Sequence, residues 1–184
     1  MSDAGVESWI YCPRCATPLI DRLVAGAARR ACPACDFVHW NNPLPVVAAL
    51  IEYEGKMLLA RNRAWSGGMY GLVTGFLEHD ETPEAAVARE VFEETALKVE
   101  STHLIGVYEF MRKNEVIIAF HAIATGTIEL GEELADVRLV SPERLRPWPM
   151  GTGYAVADWM RARGLPFEFI ELPGREAPRA SASS

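Results

Sequence analysis

The sequence lacks an excess of basic residues, a long hydrophobic run and an export signal. It has 18 Lys and Arg against 25 Asp and Glu in 184 residues, a formal net charge of −7. General affinity for nucleic acid or anionic membranes needs a basic surface, so this balance argues against both. The apolar stretch 43–51 is too short to cross a bilayer, and residues 1–11 have no basic segment followed by an apolar one. We therefore expect a cytoplasmic globular protein without a membrane partner.

Cysteine is also scarce, and its four copies form two tight pairs. Cys12 and Cys15 make one CxxC unit, and Cys32 and Cys35 make the other. Without an export signal, this spacing favours metal binding over disulfides. Four thiolates complete a tetrahedral Zn²⁺ site and leave no position for a substrate. We predict a structural zinc ribbon over residues 9–42; two redox dithiols are the alternative, but nothing thioredoxin-like surrounds either pair.

A zinc ribbon can also bind nucleic acid, and the segment 9–42 contains some basic residues. These are Arg14, Arg22, Arg29 and Arg30. Asp21 and Asp36 offset part of their charge. We therefore favour a purely structural role for the ribbon.

After residue 42 the sequence changes to short β-rich runs separated by turn residues. A glycine-rich loop is expected over 64–71. A helix is expected over 152–163, because its apolar residues follow a helical period and Gly164 is a stop signal. The predicted strands are 46–51, 56–60, 72–77, 103–110, 116–125 and 136–140. This order indicates one α/β domain over 43–170, with a flexible leader at 1–8 and a disordered tail at 171–184.

The clearest helix signal lies in the middle of the chain. Thr82 is suited to cap the N-terminus and Pro83 to occupy the first helical position, so we expect a helix that ends near Thr95.

This helix contains a cluster of three acids. Glu90, Glu93 and Glu94 are spaced i, i+3 and i+4, which places their carboxylates on one face. Such a cluster repels itself unless cations neutralise it, and oxygen ligands of this kind suit Mg²⁺ or Mn²⁺. The alternative is an ordinary solvated acidic face. Cations at these positions would neutralise a diphosphate and acidify an attacking water molecule.

The spacing of the whole segment 75–97 favours the metal site. Gly75 is followed after five residues by Glu81, and after seven more by Arg89 and the three glutamates. This pattern resembles the Nudix box of hydrolases that act on a nucleoside diphosphate linked to another group. The one departure is Ala96, where the family usually has glycine near the left-handed end of the helix.

The resemblance implies a role for each matching residue. Glu90, Glu93 and Glu94 are the expected ligands of Mg²⁺ or Mn²⁺, and Arg89 pairs with the glutamate at position 81 to brace loop against helix. The carbonyl of the glycine at position 75 would face the metal. The implied fold is a Nudix α/β/α sandwich with a mixed sheet.

A four-cysteine ribbon before such a domain is similar to the bacterial NADH pyrophosphatase branch and to related FAD or ADP-ribose pyrophosphatases. The resemblance implies a homodimer. It assigns Phe76 and Glu78 to substrate binding, although Phe76 could equally be a core residue. It also makes Glu133, on a late loop, a further metal ligand or base. Trp65 and Tyr70, beside the glycine-rich loop, are further candidates for the pocket.

One departure leaves the substrate open. NADH pyrophosphatases have a proline-rich SQPWPFP stretch shortly after the box, where this chain has Val107–Met111. Tyr108 and Phe110 in that stretch could stack on a ring or face the core. Hydrolysis of oxidised nucleotides, removal of a nucleotide cap from RNA, and a non-catalytic sensor of ADP-ribose or NAD are therefore kept as alternatives to hydrolysis of NADH, FAD or ADP-ribose.

Overall fold

The computed structural model describes residues 9–65 and 68–171. By internal contacts the chain divides into two units, residues 1–42 and 43–184. The predicted leader 1–8, the tail from residue 172 onward, and positions 66 and 67 of the glycine-rich loop lie outside the described residues.

The first unit contains a two-stranded antiparallel hairpin that the sequence analysis did not predict. Strand β1 is Ile20–Val24 and strand β2 is Ala27–Ala31. Ala25 and Gly26 form the turn with φ of 50° and 79°, a pair of left-handed residues suited to a two-residue hairpin. The strands were missed because β2 has only alanine and arginine, and in β1 the large apolar residues Ile20, Leu23 and Val24 do not alternate with polar ones. Two thirds of the predicted ribbon is therefore loops arranged around this hairpin.

The second unit begins with two long strands and ends with a helix. Its strands are β3 (Leu44–Tyr53), β4 (Lys56–Asn62), β5 (Val73–Phe76), β6 (Lys98–Phe110), β7 (Glu115–Thr125) and β8 (Leu134–Val140). The helices are α1 (Pro83–Thr95) and α2 (Thr152–Ala162). Neither α-helix of the described residues has both the length and the apolar character needed to cross a bilayer.

These six strands form one mixed sheet, as expected. The order along the sheet is β6-β7-β3-β4-β8, and β5 pairs with the first half of β3. The β3–β7 pair is parallel, whereas the other pairs are antiparallel. β6 begins at Lys98, five residues before the predicted strand, and two irregularities of register interrupt its pairing.

The central strand β3 shows why the fold has three layers. Alternate side chains of a strand point to opposite faces. Val47, Ala49 and Ile51 pack in one core with the buried side of α1. Val46 and Leu50 pack in a second core with the buried side of α2. Because both faces of the sheet are covered, the predicted α/β/α sandwich is confirmed.

Candidate active site

Helix α1 begins where the sequence predicts. Thr82 has an extended backbone, and its hydroxyl accepts a hydrogen bond from the amide of Ala85 at 3.2 Å. Pro83 occupies the first turn, where a missing N–H leaves no hydrogen bond unmade. Val87 and Val91 are fully buried against the sheet, so the opposite side of the helix presents its acidic residues.

The end of α1 explains the one departure from the box. Ala96 is the C-cap, with φ 57° and ψ 9°, and its amide donates to the carbonyl of Phe92 at 2.8 Å. This is the left-handed conformation that glycine adopts without a steric penalty. The helix therefore keeps its end with alanine in a strained position, and no candidate ligand is displaced.

A bidentate ion pair joins α1 to the loop before it. The guanidinium of Arg89 donates to both carboxylate oxygens of Glu81, at 2.7 and 3.2 Å, and to the carbonyl of Phe76 at 3.1 Å. The same carboxylate accepts from the amide of Glu78 at 2.8 Å. These hydrogen bonds hold the pKa of Glu81 below its usual value, and those from Arg89 contribute most. Arg89 and Glu81, which the resemblance pairs, thus form an ion pair in the structure.

Arg89 also contacts two of the candidate metal ligands. One of its nitrogens lies 2.7 Å from an oxygen of Glu90 and 3.2 Å from an oxygen of Glu93. Glu90 lies directly over Gly75, since a Cβ built on that glycine would be 1.8 Å from the carboxyl carbon of Glu90. Gly75 is therefore required by the close approach of this carboxylate, a physical reason beyond the role of its carbonyl.

The charges of this region are not balanced internally. Glu94 is only 8% exposed, and burial together with the neighbouring charges of Glu90 and Glu133 raises its pKa to about 8. Burial likewise raises the pKa of Glu90, although Arg89 opposes the shift. A divalent cation would relieve this repulsion, and the donors are the carboxylate oxygens that Mg²⁺ and Mn²⁺ prefer. The residues present thus fit such an ion.

The loop between β7 and β8 brings Glu133 to the end of α1. The amide of Gly131 donates to the carbonyl of Glu94 at 2.9 Å, and the amide of Glu129 donates to that of Thr95 at 3.0 Å. A Cβ on Gly131 would lie 2.4 Å from the carbonyl oxygen of Glu93, so only glycine fits. At the C-terminal end of β4, the side-chain amide of Asn62 donates to the carboxylate of Glu133 at 3.2 Å. Sequence reasoning overlooked the role of Gly131, for which the single glycine within an acidic run was the available signal.

The cysteines form a much tighter group than the glutamates. The sulfur atoms of all four cysteines lie within 4.8 Å of one another, and among the described residues no other set of three or more His, Cys, Asp or Glu ligand atoms is that compact. Hydrogen bonding by Thr17 lowers the pKa of Cys15 to about 6, which favours the thiolate. The cluster contains the four predicted zinc ligands, which are Cys12, Cys15, Cys32 and Cys35.

An open cleft of about 190 Å³ lies on the α2 side of the sheet, beside β5. Its position follows from β5, where Thr74 faces the cleft and the next residue faces the acidic cluster. The residues that line it are Val46, Trp65, Met69, Thr74, Phe110, Lys113, Glu115, Ile117, Trp148, Met150, Gly151 and Thr152. Trp65, a predicted substrate residue, is among them, whereas the basic Lys113 and the buried Trp148 were not predicted because their sequence neighbourhoods show no motif.

The other three candidates for substrate binding lie elsewhere around the site. Tyr70 donates a hydrogen bond to Asp136, and the guanidinium of Arg138 lies 4.0 Å from its ring centre, so its contacts are with β8. Phe76 is 55% exposed at the end of β5. Glu78 is exposed and contributes its amide to the loop. Phe76 and Glu78 thus stay accessible candidates for substrate binding, whereas the side chain of Tyr70 already contacts two residues of β8.

Comparison with known proteins gives related sequences along most of the chain. The NAD-capped RNA hydrolase NudC of Stutzerimonas stutzeri is 28% identical over 150 residues, which cover 78% of this chain and 54% of the relative. The protein of the same name from Pseudomonas fluorescens is 29% identical over 179 residues, which cover 93% of this chain and 64% of the relative. The chain therefore spans between about half and two thirds of the length of these relatives.

The fold is also similar to that of a solved NUDIX hydrolase. The crystal structure of a NUDIX hydrolase from Nitrosomonas europaea superposes with a TM-score of 0.72 and 29% identity, covering 88% of this chain and 97% of that one. Residues 42–158, which contain the sheet, α1 and the acidic cluster, match the NUDIX domain family. On this match the chain belongs to the NUDIX domain family.

Proposed function

We propose that this protein hydrolyses the diphosphate bridge of a nucleoside diphosphate derivative of the NADH, FAD or ADP-ribose type, including the bridge of an NAD cap on RNA. The single observation that carries the proposal is the group of buried and partly buried carboxylates at α1, whose raised pKa values indicate a site that favours added positive charge. The names of the relatives add support for a nucleotide diphosphate as the substrate.

The cation ligands in this proposal are Glu90, Glu93 and Glu94, with the carbonyl of Gly75 beside them. Bound there, Mg²⁺ or Mn²⁺ would neutralise the diphosphate and acidify the attacking water. Arg89 would release or share its contacts with two of these carboxylates and keep its bidentate pair with Glu81, so that α1 stays fixed to the substrate loop.

Glu133 has one of two roles in this proposal. It either completes the set of ligands or accepts the proton of the attacking water. Its position on a loop fixed to α1, with Asn62 as a hydrogen-bond donor, suits both roles. Glu133→Gln distinguishes them, since loss of a base removes the acidic limb of the pH–rate profile, whereas loss of a ligand raises the Mg²⁺ concentration needed for half-maximal rate.

The cleft is the proposed site for the base or nicotinamide of the substrate. Trp65 and Phe110 offer aromatic surface for stacking, and Lys113 offers a cation for a phosphate oxygen. Phe76 lies exposed at the strand end beside Val46, which lines the cleft, and is a further stacking candidate. The products would be two phosphomonoesters, such as AMP and a second monophosphate.

The remaining parts of the proposal concern the rest of the protein. Zn²⁺ is the proposed structural ion of the four cysteines, which must be reduced to bind it, as in the cytoplasm. A homodimer is proposed from the resemblance to the NADH pyrophosphatase branch.

The test is turnover of NADH, FAD, ADP-ribose and NAD-capped RNA with and without Mg²⁺, with the products identified. Glu94→Gln should lower the rate by more than about 100-fold while the melting temperature stays the same or rises. Glu84→Gln is the matched control, since Glu84 is exposed in the first turn of the same helix. Full activity of Glu94→Gln, or turnover that ignores Mg²⁺, would contradict the proposal.

The same assay separates the two alternatives. Release of pyrophosphate from an oxidised nucleoside triphosphate would indicate a different substrate class for the same cluster. Binding of ADP-ribose without any turnover would indicate a sensor.

A further inference from the structure

The two units of the chain differ in charge. The described part of the first unit, residues 9–42, contains four arginines and two aspartates, a balance of +2, and Asp3 and Glu7 bring the whole unit to zero. Residues 43–184 contain 14 basic and 21 acidic residues. The overall charge of −7 therefore lies in the second unit, and the arginines of the first unit are distributed over the two faces of its hairpin.

One face of the hairpin continues from the cysteine cluster. Leu19 and Cys32, which adjoin the strands, are buried in the small core of this unit. By the alternation of a strand, Asp21 and Arg30 lie on the same face. They are cross-strand partners, and their side chains form an ion pair at 3.6 Å. The charge of this arginine is thus matched within the hairpin.

The opposite face has no such match. Arg22 and Arg29 are direct cross-strand partners. Like charges directly opposite one another destabilise a hairpin. Among residues 9–65 and 68–171 neither arginine forms an ion pair, and the Nε atom of Arg29 is buried without a hydrogen-bond partner. An anion on this face would relieve the repulsion between the two guanidinium groups.

An aromatic side chain completes the face. The guanidinium of Arg29 lies 4.8 Å from the ring centre of Trp40 and donates to the carbonyl of the same residue at 2.8 Å. Trp40 is 47% exposed, and Ile20, on the same face of β1, is also 47% exposed. Proteins that bind single-stranded nucleic acid combine an exposed aromatic ring with arginines that have no ion-pair partner, because bases stack on the ring and phosphates contact the arginines.

We propose that the outer face of this hairpin, formed by Ile20, Arg22, Arg29 and Trp40, binds single-stranded RNA. An acidic peptide would be attracted by the arginines but would leave the ring of Trp40 without a planar partner, and a duplex keeps its bases stacked on one another. The proposal extends the proposed function, on which it rests for the source of the RNA, namely the chain that follows a 5′ nucleotide cap.

The test uses the full chain and a fluorescently labelled, unstructured RNA of about 12 nucleotides, a length that covers a site of the size seen in single-strand binders. Binding is followed by anisotropy at several salt concentrations. The double variant Arg22→Gln/Arg29→Gln should weaken binding at least roughly tenfold and reduce the slope of log K against log salt by about 1.4. Trp40→Leu should weaken binding by a similar factor through loss of stacking.

Arg30→Gln is the matched control. It makes the same change of charge in the same hairpin, but on the face where Asp21 already balances it, so RNA affinity should change less than about twofold. Zinc content and the melting curve establish that each variant is folded. If Arg29→Gln disturbs folding, Arg22→Gln alone keeps the test, because Arg22 is exposed, and its slope should fall by about 0.7.

Three results would overturn the inference. The first is unchanged affinity in the folded double variant, and the second is an equal loss in Arg30→Gln. The third is displacement of the RNA from this face by polyglutamate at an equal concentration of charge. Turnover of ADP-ribose, measured beside the binding, should be the same in Arg22→Gln and the parent protein; its absence in the parent would contradict the proposed function and leave the binding result intact.

Discussion

The two groups of candidate metal ligands are built in opposite ways. In the first unit the four cysteine sulfurs lie within 4.8 Å of one another on short turns. In the second unit the carboxylates come from a helix and from a distant loop, and a nitrogen of Arg89 bridges Glu90 and Glu93. The sulfur atoms are already grouped as ligands of one ion, whereas two of the carboxylates are occupied by an arginine.

We infer from this difference that the proposed zinc ion is structural and that the proposed Mg²⁺ or Mn²⁺ is catalytic. The core of the first unit is small, with Cys12, Leu19 and Cys32 as its buried members, so we expect its stability to depend on the proposed zinc ion. Helix α1 already buries Ala86, Val87 and Val91 against the sheet. We therefore expect the second unit to fold without a cation, so that the proposed catalytic cation would be free to bind and leave with substrate.

The largest expected effect is on the cysteine cluster. Cys32→Ser should abolish stoichiometric zinc and unfold the first unit, because structural zinc contributes on the order of 10 kcal/mol to such modules. Zinc analysis and amide NMR spectra measure both changes. Ala34→Ser, at an exposed position of the same turn, should keep the metal. A folded first unit in Cys32→Ser would show that the thiols are not its main support.

The next effect tests how closely the carboxylate site is packed. Gly75→Ala places a methyl group within 1.8 Å of the Glu90 carboxyl carbon and must displace that side chain. We expect a loss of turnover above about 100-fold and a loss of about 1–3 kcal/mol in the free energy of unfolding. Initial rates against Mg²⁺ concentration, with urea unfolding, measure both. An unchanged Mg²⁺ dependence would show that Glu90 is not a ligand.

A smaller effect, of opposite sign, is expected at the end of α1. Ala96→Gly should raise the free energy of unfolding by about 1 kcal/mol, since the backbone there is left-handed. Turnover should stay the same because the residue holds no candidate ligand. Ala88→Gly, in the middle of the same helix, should lower stability by about 1 kcal/mol. Equal signs in the two variants would contradict the strain argument.

The smallest expected effect is on the pH dependence of stability and comes from a buried histidine that is not a candidate metal ligand. His121 is 3% exposed and its Nε2 lies 2.8 Å from Glu52. Burial lowers its pKa, helped by Arg163, although Glu52 opposes the shift. The unfolded chain then binds the proton more readily, so this histidine should lower stability as the pH falls below about 6.5.

The measurement is urea unfolding between pH 8 and pH 5 with and without a chelator. His121→Gln should flatten the pH dependence relative to the parent protein. His103→Gln is the control, since His103 is exposed on the neighbouring strand. A pH dependence that disappears on chelation would assign it to the metal sites instead.

Local signals predicted most of the fold. Thr82 and Pro83 predicted the start of α1 because a helix cap depends on a few neighbouring residues. The spacing of the cysteines predicted their clustering for the same reason. The hairpin β1–β2 was missed because its large apolar side chains all lie on β1, whereas β2 has only alanine and arginine, so β2 shows no apolar alternation.

The cleft could not be predicted because its walls are distant in sequence. Trp65 and Trp148 meet at Gly71, where a Cβ would contact both rings. Neither tryptophan has a local pattern that indicates the other. Tyr70 was expected in the pocket for its position beside glycines, but its partner Asp136 lies on β8, and only the three-dimensional pairing of β4 with β8 brings the two together.

The loop that ends in Glu133 has a consequence for how this enzyme family can vary. The amides of Glu129 and Gly131 attach the loop to the open carbonyls at the end of α1, so main-chain atoms set its distance from Glu94. The side chains at 129 and 132 are free to change without moving the fourth carboxylate. A single inserted or deleted residue between 126 and 133, in contrast, would shift that carboxylate out of alignment. The length of this segment should therefore be far less tolerant of change than its composition.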